Sequence, residues 1–419
     1  MLKRYYIITI LLLLTSKITM SQHFHDKETA RYECVSDSLN EILFLGDDTL
    51  RMYRFISKLD SVISAKESKL NILHIGGSHV QADVFTNRIR NNFNELNDGL
   101  CSGRGMIFPY SAAKTNNPHN YKVSSKGEWR PTRNVNEERS TALGLTGIAV
   151  TTNDASAEIT IDLNPNDTVK RWYFNRLRIL GYASSPYVIP MLKLNDTSYH
   201  EADFDSVTSS YLFKMTDNYD RFSIVFQQND TVNHDFTLTG ILPENDNDGI
   251  IYHSIGVNGA EVGSYLSCEN FVNDLELIKP DVAVFAIGIN DTFAEEYSDS
   301  AFIANYDSLI TMIEQVSPDC FYIFITNNDS FRKEKIEGQT YYHVNENGDN
   351  AREVFYILAE KHDAALWDLF NIMGGMESMM RWEEEGLAKK DKIHFTNKGY
   401  ILIGDLFFNA LMRFYSERI

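Results

Sequence analysis

Apolar residues recur with changing rhythms along the chain. Between residues 28 and 68 they fall at three- and four-residue steps, with Leu43, Met52, Phe55, Ile56, Leu59 and Ile63 among them, which predicts helix. Leu70 to Ile75 is a short, nearly continuous apolar run stopped by Gly76-Gly77, as expected of a buried strand. From Gln81 to Phe93 the helical step returns through Val84, Ile89 and Phe93. Between about 115 and 250 it fades. Short runs rich in Thr, Val, Ile, Tyr and Phe take over, such as 147–151, 157–163, 176–182, 221–226 and 235–241, with turns such as Asn229-Asp230 between them. That spacing predicts a β-sandwich. From 251 the first style resumes: a buried strand over 281–287, a helix over 301–316, a strand over 320–326, and helices over 350–362 and 397–415. Strands alternating with helices predict a mostly parallel sheet. The expected architecture is an α/β domain (22–114 and 251–419) interrupted by an inserted β-domain (115–250).

The first residues add a location. Met1-Leu2-Lys3-Arg4 is basic, Tyr5 to Leu14 is almost wholly apolar, and small and polar residues follow to Ser21. Residues 1–21 therefore read as a signal peptide, which predicts export to the periplasm or the outside; an uncleaved anchor is the alternative. The apolar run is shorter than the roughly 20 residues a spanning helix needs, so no stable membrane insertion is expected after cleavage. The chain of 419 residues carries a formal charge of −19, and losing Lys3, Arg4 and Lys17 would take it to −22. A surface this acidic repels phosphate backbones, so nucleic acid is not an expected partner. Cys34, Cys101, Cys268 and Cys320 form no C-x-x-C pair and no Cys/His metal spacing. Their pairing is open, although Cys320, at the edge of a buried strand, reads as a free thiol.

Several short patches carry chemistry. Ser78 follows Gly76-Gly77 on a strand-to-helix turn, a setting that suits a nucleophile but also a plain structural turn. Asp391 and His394 are three residues apart, a spacing that lets a carboxylate orient an imidazole acting as general base; alone it fits a solvated loop equally. Asn290, in Gly288-Ile289-Asn290-Asp291, follows a buried strand, where its amide can face a developing oxyanion or simply cap a helix. Gly259 offers a backbone N–H. His74, His79 and His253 read as local structure. Asn245-Asp246-Asn247-Asp248-Gly249 lacks the later Glu of a calcium loop and reads as a solvated turn.

Taken in order, Gly76-Gly77-Ser78-His79, Gly256-Val257-Asn258-Gly259, Gly288-Ile289-Asn290-Asp291 and Asp391-Lys392-Ile393-His394 resemble the four blocks of the SGNH hydrolase (GDSL esterase/lipase) family. The resemblance covers about 70–110 and 251–415. It implies a flavodoxin-like three-layer α/β/α domain. It also implies a catalytic set of Ser78, Asp391 and His394, with an oxyanion hole formed by Ser78, Gly259 and Asn290, and no metal or cofactor. One residue departs from the pattern: Gly77 stands where the family usually has Asp. The insertion is similar in placement to that of peptidoglycan O-acetylesterases, which implies an exported esterase acting on an O-acetylated glycan. A non-catalytic glycan-binding protein on a decayed hydrolase fold, or a lipase of the same family, are the alternatives. Trp172, Tyr173, Tyr182 and Tyr187 suit either sugar stacking or core packing.

Overall fold

The computed structural model describes residues 26–419 apart from 28, 30, 66, 67, 98, 167–170 and 195–197. The expected signal peptide lies outside the described residues. Seven strands build the main sheet: β1 (Ile42–Phe44), β2 (Lys69–Gly76), β3 (Cys101–Gly103), β4 (Gly249–Gly256), β5 (Val282–Ala286), β6 (Phe321–Ile325) and β7 (Ala365–Trp367). Their order is β1-β7-β6-β5-β2-β4-β3, parallel throughout except for β1, which lies antiparallel on β7. Val282 to Phe285 and all of β6 are buried, as parallel strands covered on both faces must be.

Five longer helices cover the faces: α1 (Leu50–Ala65), α2 (Val84–Leu96), α3 (Asp299–Glu314), α4 (Asn347–Lys361) and α5 (Asn397–Ser416). Alternation along β6 assigns the layers. Phe321 stacks on Phe55 of α1, with ring centroids 5.5 Å apart, while Phe324 meets Tyr306 of α3 at 5.5 Å and Phe355 of α4 at 6.2 Å. α5 joins the first face through Phe93–Phe408 contact with α2 at 5.1 Å and a Tyr415 hydroxyl that donates to Asp60 of α1 at 2.6 Å. The result is the three-layer α/β/α fold expected.

The middle of the chain forms two antiparallel sheets. One has five strands, in the order 199–201, 188–193, 221–228, 158–162, 122–126; the other has six, in the order 203–205, 210–219, 174–183, 236–244, 148–152, 130–133. They pack face to face through Phe174–Phe222 at 5.2 Å and Phe226–Phe236 at 4.8 Å. Trp172 is buried, whereas Tyr173, Tyr182 and Tyr187 are exposed. All four cysteines are free and buried.

One local expectation fails. The helical reading of 28–68 holds only from Leu50; Asp37–Leu39 is a single 3-10 turn and Ile42–Phe44 is strand β1. Pairing of Ile42, Leu43 and Phe44 with Trp367, Leu366 and Ala365 overrides the local spacing, and the Trp367 indole N–H donates to Asn40 Oδ1 at 2.9 Å beside it.

Candidate active site

The carboxyl ends of β2, β4 and β5 lie side by side, where the sheet's order reverses after β2, and such ends bind ligands in open α/β sheets. Each delivers one of the expected residues. β2 ends at Gly76, paired in register with Gly256 at the end of β4. A Cβ on Gly76 would sit 2.2 Å from Val80 Cγ2, so only glycine lets the chain turn back directly into the helical turn Ser78–Gln81. Gly259, three residues past β4, has φ +84°, a conformation natural to glycine. The preceding Asn258 N–H donates to Gln81 Oε1 at 2.7 Å, which ties this loop to the Ser78 turn. Asn290 follows β5, and its Nδ2 donates to Ala260 O at 2.9 Å, leaving its second N–H free to point elsewhere.

Asp391 and His394 arrive from the loop before α5. Ser78 Oγ lies 2.9 Å from His394 Nε2, across 316 residues of sequence, and His394 Nδ1 lies 2.9 Å from Asp391 Oδ2. Asp391 Oδ1 also accepts the backbone N–H groups of Ile393 (3.0 Å) and His394 (2.9 Å). Partial burial pushes the Asp391 carboxyl upward, but these hydrogen bonds, led by that from the His394 ring, outweigh it and hold the group well below the usual carboxylate range. An ionised Asp391 requires the proton on Nδ1, which leaves Nε2 as acceptor for the Ser78 hydroxyl. Ser78, Gly259, Asn290 and His394 all line one cleft of about 680 Å³.

The other histidines stand apart from this line. His79 is partly buried, its Nδ1 bonds the Tyr400 hydroxyl at 2.8 Å, and desolvation, helped by the nearby His394, lowers its pKa to about 3. His74 pairs with the Tyr252 hydroxyl at 2.6 Å and His253 accepts the Met106 N–H at 3.1 Å; both are held neutral by burial. Asn245 donates to the Ser102 and Tyr173 carbonyls, at 2.6 and 3.0 Å, and so serves the fold. Sequence reasoning missed the cleft wall: Asn116, Asn117, His119, Phe293 and Lys389 face the same space. The only advance signal was an Asn-Asn-Pro-His run at 116–119, which reads as linker.

Gly77 also has a spatial meaning here. A Cβ there would lie 3.3 Å from Asn290 Nδ2 and 3.5 Å from Ala260 O, so the bare backbone lets the Asn290 amide approach the Ser78 turn closely.

Residues 223–402 match the model of the GDSL-like lipase/acylhydrolase family, a span that holds Gly259, Asn290, Asp391 and His394. That part of the chain is similar to the GDSL-like lipases and acylhydrolases. The matched span begins within the inserted sheets, at residue 223, and so does not include Ser78. Among solved structures, a peptidoglycan O-acetylesterase superposes with a TM-score of 0.68 at 19% identity, covering 90% of this chain and 99% of its own. An acetyl xylan esterase from Geobacillus stearothermophilus covers 40% of this chain and 73% of its own at 18% identity, with a TM-score of 0.29. The first likeness is one of fold and extends through the inserted sheets. No curated protein matches the sequence. No described helix is long and apolar enough to cross a membrane.

Proposed function

We propose that this protein is an SGNH hydrolase, an exported serine esterase that removes O-acetyl groups from a glycan. The observation that carries the proposal is the hydrogen-bonded line Ser78–His394–Asp391 opening onto the polar cleft. In this reading Ser78 Oγ attacks the acetyl carbonyl while His394 Nε2 takes its proton, and Asp391 holds the ring and stabilises the imidazolium. The oxyanion formed is met by the backbone N–H groups of Ser78 and Gly259 and by Asn290 Nδ2; one such donor is worth about 2.7–4 kcal/mol in comparable sites. Collapse breaks the ester bond, His394 returns the proton to the departing sugar oxygen, and acetyl-Ser78 remains. Water, deprotonated by His394, then attacks that ester, and acetate leaves as Ser78 recovers its proton.

The glycan part rests on the cleft lining. Asn116, Asn258 and Asn397 place side-chain amides along the cleft, groups that pair with hydroxyls, and Phe293 supplies a partly exposed ring. A long acyl chain would ask for an apolar tunnel instead, which disfavours a lipase. Export rests on the basic and apolar opening of the sequence. The mature protein should hydrolyse 4-nitrophenyl acetate and release acetate from O-acetylated peptidoglycan or xylan. Ser78→Ala should lose activity by at least about 10³-fold, the order expected when a nucleophile is removed. Equal turnover in that variant would reject the mechanism and leave a glycan-binding protein as the reading.

A further inference from the structure

The cleft at Ser78 does not end at the acetyl site. At Val84, His119 and Asn397 it runs into a second hollow of about 320 Å³. That hollow shares Asn87, Asn91, His119 and Asn120 with a third, of about 330 Å³, which ends on the inserted domain at Asn166, Arg171 and Trp172. His119 borders all three. The floor is one face of α2, where Val84, Asn87, Asn91 and Glu95 recur at three- and four-residue steps and so line up along the axis. From Val84 to Glu95 that face extends about 16 Å at 1.5 Å per residue. This is longer than a single hexose ring and begins beside the reacting hydroxyl.

The lining is amide-rich, and two of its charged side chains, Arg88 and Glu95, are paired with opposite charges. Arg88 Nε donates to Asp405 at 2.6 Å, Glu95 pairs with Lys27 at 2.5 Å, and Arg171 Nη1 donates to Asn91 Oδ1 at 3.3 Å, which joins the inserted domain to α2. Side-chain amides present a donor and an acceptor together, the pattern that hydroxyl and acetamido groups answer. An anionic polymer would meet the repulsion of a net charge of −19. We infer that this trough, built jointly by α2, the 116–120 loop and the inserted domain, holds a run of sugar units flanking the acetylated one. The substrate is then an extended, largely uncharged glycan strand rather than a free acetylated sugar.

This rests on the glycan reading above, so the decisive measurement avoids catalysis. Deacetylated oligosaccharides of rising length, from peptidoglycan and from xylan, are titrated calorimetrically into the full-length mature protein. Affinity should rise about tenfold or more from a monosaccharide to a tetrasaccharide in at least one series, the order of a few net hydrogen bonds. N87A/N91A should lose most of that rise; alanine favours helix, so α2 persists, and circular dichroism checks it. Length-independent binding in both series, or a double variant that keeps the full rise, would overturn the trough. Binding of the expected kind by an enzyme that releases no acetate would sink the reaction and leave the trough standing.

Discussion

Asp391 concentrates the chemistry of single residues. Oδ2 faces the His394 ring and Oδ1 accepts two backbone N–H groups, so the carboxylate both orients the imidazole and closes its own turn. Asp391→Asn keeps an oxygen for the backbone donors, but its NH₂ group cannot accept the Nδ1 proton and favours the wrong tautomer. A loss in kcat of about 10³–10⁴-fold with an intact fold is expected, as in a comparable triad; a loss of less than tenfold on 4-nitrophenyl acetate would remove Asp391 from the relay. The pH sign follows from the same contacts. A carboxyl depressed in the folded state adds stability above its unfolded value of about 3.9, lost as pH falls through the folded value. Below about pH 4 the wild type should therefore lose thermal stability faster than the Asn variant. At this scale the sequence was informative because each residue sits in a short patch with its own signature. Asp391 and His394 are separated by one turn of chain, and Gly76 marks the sharp turn before Ser78. Asn116 and His119 had no such signature, because what places them at the cleft is the path of a loop and not a local pattern.

Elements decide whether the residues meet. The loop carrying Asp391 and His394 has no regular structure, and Lys392 within it takes φ +56°. It is braced from the end of β6: Asn328 Nδ2 donates to Ile393 O at 3.1 Å, and the Phe331 N–H donates to Lys392 O at 3.1 Å. The Lys392 ammonium also lies 5.2 and 5.3 Å from the Phe331 and Tyr342 rings of the hairpin 331–344. Asn328 is thus a positioning residue for His394. Asn328→Ala should lower kcat about tenfold, the effect of a displaced general base, with KM nearly unchanged, and Asn328→Gln should recover little because the longer amide overshoots. A rise in KM with unchanged kcat would mean that Asn328 acts on binding instead. The buried strands and amphipathic helices were legible because burial imposes their period. The hairpin was not: Arg332 to Ile336 and Gln339 to Tyr341 are largely exposed, so neither face has to be apolar. β1 was misread because three residues are too few for a period, and only pairing with β7 defines it.

The whole molecule must hold an inserted domain steadily against the site it interrupts. The chain leaves the hydrolase sheet after β3 and returns at β4, and between them Arg104 and Asn120 are drawn back to Asp83, five residues past Ser78. Asp83 lies between two buried guanidiniums, paired with Arg104 and, at 2.8 Å, with Arg90, which also donates to Tyr252 O at 3.1 Å and Ser254 Oγ at 2.5 Å. Burial alone would raise the Asp83 carboxyl, but the two arginines hold it well below the ordinary range. One carboxylate therefore ties α2, β4 and the segment that leads to His119. No local pattern announces such a knot, since Asp83, Arg90 and Arg104 look like surface charges until the insertion folds over them. The strand order of the inserted sheets was equally hidden, because alternation gives each strand's inward face but not its neighbour. Asp83→Ala would leave two buried cations without their counter-charge, and removing one partner of a buried pair costs about 3–5 kcal/mol. Urea unfolding should show that loss. Asp83→Asn, which keeps the shape and an acceptor, should unfold at higher urea than the alanine variant yet turn over long O-acetylated glycans less well than the wild type, because the 116–120 loop would be held less firmly. Wild-type stability in Asp83→Ala would mean that the insertion is held against the hydrolase domain by its apolar contacts alone.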